Sequence, residues 1–189
     1  GDGYQPGSLM SAAEAEHYHS HQVRSLAAGG AELITAITML YPDEAIGIVE
    51  AARSAGLAAV ISFTVETDGA LPTGQPLGEA IAAVDDATGS YPAYYMVNCA
   101  HPTHFGPALD AGADWTARLG GVRANASKMS HAELDAADEL DAGNPEELAG
   151  EYRELRERFP NLRVLGGCCG TNHLHIEAIA AACAPATAG

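Results

Sequence analysis

Strand-like and helix-like segments take turns along the whole 189-residue chain, and no two strand-like segments are joined by a two-residue hairpin turn. Strands that never meet through hairpins pair in parallel, and parallel pairing needs a long crossover, normally a helix, of right-handed sense. Ser11 and Glu14 form an S-x-x-E capping pattern ahead of a helix predicted over Ala12–Ala28, and Gly29-Gly30 ends it. The short β-branched run Leu33–Met39 reads as a strand and residues 44–54 as the next helix. The unit recurs as strand Ala58–Thr64 with helix 77–87, and as strand 93–98 with a short helix near 103–111. It recurs again as strand 119–125 with helix 145–159, and as strand 162–165 with helix 172–183. The acidic segment 133–147 reads as a solvated connection and helix start.

Five such units predict an α/β protein in a single domain, 1–189. A doubly wound open sheet and a (β/α)8 barrel fit the pattern equally well. A whole barrel typically takes about 250 residues, so a barrel of this length is partial. Nine basic against 25 acidic residues leave a net charge of −16, which repels phosphate backbones and anionic lipid heads. The expectation is therefore no nucleic-acid and no membrane partner. Apolar stretches such as 55–64 and 176–184 fall short of the roughly 20 residues that span a bilayer. GDGYQPGSLM at the start is not a secretory signal and carries no initiator methionine, so the expectation is a sequence that begins inside a longer gene product. Four cysteines, two of them adjacent, do not form the spaced framework of a small secreted domain, and a reducing cytoplasm fits them better.

Cys99 stands at the end of AYYMVN and Cys168-Cys169 at the end of LRVLGG. In parallel α/β folds the C-terminal ends of strands form the reactive rim, so these thiols converge on one face. Neighbours in a strand point to opposite sides, but Gly166, Gly167 and Gly170 free the backbone to turn. Three thiolates suit zinc and leave a fourth position open. A vicinal disulfide or redox switch at Cys168-Cys169 remains a second reading, and Cys183 among alanines reads as a small buried hydrophobe.

VNCAHPTHF and GGCCGTNHLHIEAI resemble the zinc signatures of the homocysteine S-methyltransferase family. So do ISFTVETDGALPTGQPLGEAI, GVRANAS and ELDAGNPEELAGEY, especially among the short enzymes that use S-methylmethionine or S-adenosylmethionine. The resemblance implies a (β/α)8 TIM barrel, of which about five βα units are present and the first three strands missing. It implies Zn2+ held by Cys99, Cys168 and Cys169, with homocysteine sulfur at the open position and methyl transfer from a sulfonium donor to give methionine. No general base is required, because coordination lowers a thiol's pKa. Asn98, beside the first ligand, is a candidate to orient substrate or fill the vacant position, and closing its strand is the plainer role. Glu66 and Asp68 are candidates to attract the sulfonium, and Asn125 is a further substrate-binding candidate.

Two departures from the family stand out. Nothing matches its D-G-G-like first turn, and LITAITM has Ile37 where the family commonly has a glutamate that contacts the substrate ammonium. Losing such a charge-assisted bond costs roughly 1.5–3 kcal/mol. A partial barrel also leaves 33–39 as an unprotected edge, so the chain is expected to be marginally stable, to self-associate through that edge, or to belong to a longer protein. The competing functions are a zinc-binding, non-catalytic remnant and a thiol redox protein. His17, His19 and His21 read as a solvated helix face. His101 and His104 read as neighbours of the zinc or as loop packing, and His173 and His175 as the first turn of the last helix. GGCCGT lacks the G-K-[ST] ending of a phosphate cradle.

Overall fold

The computed structural model describes residues 7–110 and 112–184. The order is α1 (Ala12–Ala28), β1 (Leu33–Met39), α2 (Pro42–Ser54), β2 (Ala58–Thr64), α3 (Leu77–Thr88), β3 (Tyr94–Asn98) and the short α4 (Pro102–Phe105). It continues with β4 (Leu119–Ala124), the short α5 (His131–Asp135), α6 (Pro145–Arg158), β5 (Val164–Gly167) and α7 (His173–Cys183). The five strands form one sheet in sequence order, each parallel to its neighbour. Sequential order with a helix between each pair is one continuous stretch of βα units, without the order reversal of a doubly wound sheet.

Alternation along the strands sorts the side chains. Ile34, Ala59, Ile61, Phe63, Tyr95, Val97 and Val122 join the apolar core with Val49, Ile81, Val84, Leu148 and Tyr152 of the helices. The other face carries polar groups, among them Ser62, Thr64, Asn98 and Arg123, and Asn98 stands beside both Thr64 and Arg123 in register. Helices α1 and α2 approach closely because Gly47 has no Cβ: one added there would stand 2.5 Å from the Ala15 Cβ and the Glu16 nitrogen. Tyr152 of α6 links the last two strands, receiving the Ala124 N–H at 2.8 Å and donating to the Gly166 carbonyl.

The predicted helix over 103–111 is broken. Four residues of α4 pass into a 3-10 turn at Gly106–Ala108, where Pro107 cannot donate to a continuing helix; Ala111, its last residue, lies outside the described residues, as do 1–6 and 185–189. The final strand sits two residues later than the pattern placed it, at Val164–Gly167. The acidic segment 133–147, read as a connection and helix start, overlaps the end of α5, whose Ser130 and Glu133 make the same capping box as Ser11 and Glu14. Among the described residues no helix is long and apolar enough to cross a membrane.

Burial is uneven. Leu33 and Ile37 on β1, Val164 on β5, Tyr18 and Leu26 on α1, and Leu174 and Ile176 on α7 are exposed, whereas β2, β3 and β4 show no large exposed apolar side chain among the described residues. Among the described residues, β1 and β5 form the two edges of the sheet.

Candidate metal centre

Cys99 follows β3 directly and adopts φ 55°, a left-handed conformation that a side-chain-bearing residue takes only under constraint. The constraints are visible. Its N–H donates to the Arg123 carbonyl at 3.1 Å. Its own carbonyl accepts from Asn125 Nδ2 at 3.0 Å and from His131 Nε2 at 2.6 Å. The residue is buried.

The second turn leaves β5. Cys168 N–H donates to the Ala124 carbonyl at 2.8 Å, and Cys169 N–H donates to Asn125 Oδ1 at 3.1 Å. The Cys168 carbonyl accepts from the Thr171 hydroxyl at 2.7 Å and from the Thr171 N–H at 3.2 Å. Gly170 reverses the chain at φ 77°, where a Cβ would stand 2.8 Å from the Asp141 carbonyl oxygen. Cys168 is half-buried and Cys169 exposed.

The two turns bring the Sγ atoms of Cys99, Cys168 and Cys169 within 4.8 Å of one another, with Cys168 and Cys169 at 4.0 Å. A tetrahedral zinc with bonds of about 2.3 Å needs sulfurs about 3.8 Å apart, so a small inward movement suffices and the donor set fits. The Cys99 sulfur beside it, and then burial, hold the Cys168 thiol well above its ordinary value. Crowding that resists three bare thiolates is relieved by a divalent cation. Each sulfur can therefore serve as a ligand, and a fourth position is left for another donor.

The expected neighbours take definite positions. Asn125 bridges the two turns, one end of its amide on Cys99 and the other on Cys169. Asn98 is buried inside the sheet: its Oδ1 accepts from the Thr38 N–H and Ser62 Oγ, and its Nδ2 donates to Thr38 Oγ1 and Thr64 Oγ1. Two donors and two acceptors exhaust a carboxamide. Asn98 therefore straps β1, β2 and β3 together and holds Thr38 at φ 63°. Thr38 belongs to a bulge where β1 runs one residue longer than β2, and Ile37 lies exposed beside it. Glu66, half-buried after β2, meets His131 Nδ1 at 3.2 Å.

His19 pairs with Glu44 at 3.1 Å across α1 and α2, while His17 and His21 are exposed on the same helix. His101 caps α4; burial, then nearby Lys128 and His104, push its pKa down to about 4. His104 contacts the Lys128 carbonyl, and His175 caps α7. Cys183 is buried in the core. Sequence reasoning passed over His131 and Arg123. The Ser130–Glu133 cap marks His131 as the start of an ordered turn, and strand alternation puts Arg123 on the face of Asn98.

The pattern of the homocysteine S-methyltransferase family matches residues 1–183. The chain belongs to that family. No curated protein sequence matches it. Among solved structures it is similar to the homocysteine methyltransferase MmuM from Escherichia coli. The metallated form superposes with a TM-score of 0.72 at 22% identity, covering 96% of this chain and 55% of that one. The oxidized form gives 0.73 at 23% identity, covering 96% and 56%. The apo form gives 0.70 at 22% identity, covering 94% and 59%. The family member described here thus spans a little over half the length of the structures it matches, and its five parallel strands correspond to part of their fold.

Proposed function

We propose that this chain carries the zinc half of a homocysteine S-methyltransferase, moving a methyl group from a sulfonium donor, S-methylmethionine or S-adenosylmethionine, to homocysteine. The observation that carries the reading is the meeting of Cys99, Cys168 and Cys169 at one end of the sheet, in a chain of this family. Bound there, Zn2+ supplies the Lewis acidity that makes a thiol a thiolate at neutral pH. In the overall exchange one carbon–sulfur bond of the sulfonium breaks and one forms on the homocysteine sulfur. The thiol proton goes to solvent, and two neutral thioethers remain.

The protein's own groups prepare this exchange. Asn125 keeps the two cysteine turns in one relative position. Asn98 keeps the β1 bulge in place against β3. Arg123, exposed on the same sheet face as Asn98, offers a cation for the amino acid carboxylate. The carboxylates of Glu66 and Asp68 after β2, in a chain of net charge −16, favour the approach of a cationic donor. Residues 1–189 act as one domain, the setting is the cytoplasm, and the open edges of β1 and β5 are where self-association or further strands are accommodated.

The test is metal analysis of purified protein together with methionine formation from homocysteine and each sulfonium in turn. One zinc per chain with methionine produced supports the reading, and absence of zinc after reconstitution overturns it. A second reading, a zinc-binding remnant without transfer activity, is favoured by Ile37, which is exposed on β1 where the family commonly has a glutamate. It predicts zinc without methionine.

A further inference from the structure

We propose that His131, braced by Glu66, is a positioning residue that sets the Cys99 turn for metal binding; the inference rests on the zinc reading above. His131 opens α5 in the connection between β4 and α6, 32 residues beyond Cys99. Its ring is buried. A carbonyl only accepts, so at 2.6 Å it is Nε2 that donates to the Cys99 oxygen. At the other end of the ring, Nδ1 stands 3.2 Å from the Glu66 carboxylate oxygen, which only accepts, so the ring is braced there when Nδ1 carries a proton as well as Nε2. Segments that follow β2, β3 and β4 therefore meet at one imidazole.

The contact falls where it has most leverage. Cys99 at φ 55° sits in a conformation that its neighbours must enforce, and the direction of its Sγ depends on that conformation. The N–H side is pinned by the Arg123 carbonyl, and the carbonyl side by two side chains, Asn125 and His131. Turning the peptide after Cys99 would break both of the latter and release the left-handed conformation in which the sulfur faces the Cys168-Cys169 pair. Groups that orient a ligand in this way typically change metal affinity about ten- to a hundredfold when removed. Glu66 acts on the metal site only through the ring, so its effect is smaller and depends on His131.

The experiment compares wild type, His131→Leu, His131→Gln, Glu66→Gln and the double variant Glu66→Gln/His131→Leu. Zinc affinity is measured by competition with a chromophoric chelator, cobalt-thiolate absorption after Co2+ loading, and melting temperature without metal. His131→Leu is expected to weaken zinc binding about ten- to a hundredfold and to shift the cobalt bands. His131→Gln, whose amide reaches the same carbonyl, restores most of the affinity. Glu66→Gln weakens binding by less, and has no further effect on the His131→Leu background. Should His131→Leu fail to fold, the loss in Glu66→Gln and the retention in His131→Gln carry the test. Wild-type zinc affinity and cobalt spectrum in both His131→Leu and Glu66→Gln overturn the proposal while leaving the zinc reading intact; so does a melting-temperature change with no change in either metal readout. Failure of the wild type itself to bind zinc overturns both.

Discussion

The two cysteine turns reach the same point by different means. Cys99 follows a central strand, with β2 on one side and β4 on the other, and its turn is a strained left-handed residue held by side chains from two later segments. The Cys168-Cys169 turn follows an edge strand of four residues and is held by Ala124, Asn125, Ala126 and Thr171, with glycine making the reversal. Strain enforced by surrounding structure needs a firm frame, which the interior of a sheet provides and its edge does not. The first turn is therefore the fixed jaw of the candidate metal site and the second the adjustable one.

The largest effects are expected at the three proposed ligands themselves. Replacing Cys99, Cys168 or Cys169 by serine is expected to lower zinc affinity by more than the about hundredfold seen when an outer partner is lost, as measured by chelator competition. A Cys169→Ser protein that keeps full affinity would leave only two sulfurs in the site and break the comparison at its root. Stripping zinc and alkylating briefly should then separate the jaws: mass spectrometry is expected to find Cys169 modified first, Cys168 more slowly and Cys99 last. Exposure sets the ends of that order, and the raised pKa of Cys168, caused first by the Cys99 sulfur and then by burial, keeps it less reactive than its neighbour.

Asn125 belongs to both jaws, so Asn125→Ala should be the most damaging change that leaves every sulfur in place. It removes the acceptor of the Cys169 N–H and one donor to the Cys99 carbonyl. Each lost hydrogen bond costs about 0.5–1.5 kcal/mol, read as a loss in chemical denaturation. Zinc affinity should fall about ten- to a hundredfold with it. Gly170→Ala tests the adjustable jaw alone. A non-glycine residue in left-handed space costs roughly 1–2 kcal/mol, and the added methyl group would meet the Asp141 carbonyl. Melting of the metal-free protein measures it, and an unchanged midpoint would mean that this turn relaxes without effort.

Much of this was legible in the residues. The limits of α1, β1 and β2 follow from a capping box and β-branched runs, because local pattern and tertiary packing agree there. The three cysteines and Asn125 were legible as members of one rim, because strand ends in parallel sheets point one way. Three things were not. Position beside Cys99 leaves Asn98 open to a substrate-orienting or a strand-closing role, and the contacts of its amide with Thr38, Ser62 and Thr64 exist only once β1, β2 and β3 are in register. His131 lies in a connection whose acidic composition hides a second capping box. The short β5 is displaced from its apolar run because the pairing Gly121 to Val164 and Ala124 to Gly167 outweighs the preference of Leu162 for a strand; Leu162 goes instead into the core.

Thr171 offers the finest test of how loosely the edge turn is held. Its hydroxyl and its N–H both donate to the Cys168 carbonyl, so Thr171→Val removes one bond of a doubly bonded oxygen and leaves the backbone bond in place. Valine also keeps the branched shape that fills the space where a Cβ on Gly167 would collide. The expected loss is at the low end of a single hydrogen bond, about 0.5–1 kcal/mol, with zinc affinity reduced by less than in Asn125→Ala. Denaturation midpoints and chelator competition on the two variants, measured side by side, decide the matter. If Thr171→Val weakens zinc binding as much as Asn125→Ala does, the Cys168-Cys169 turn is as finely set as the Cys99 turn, and the division into a fixed and an adjustable jaw is wrong.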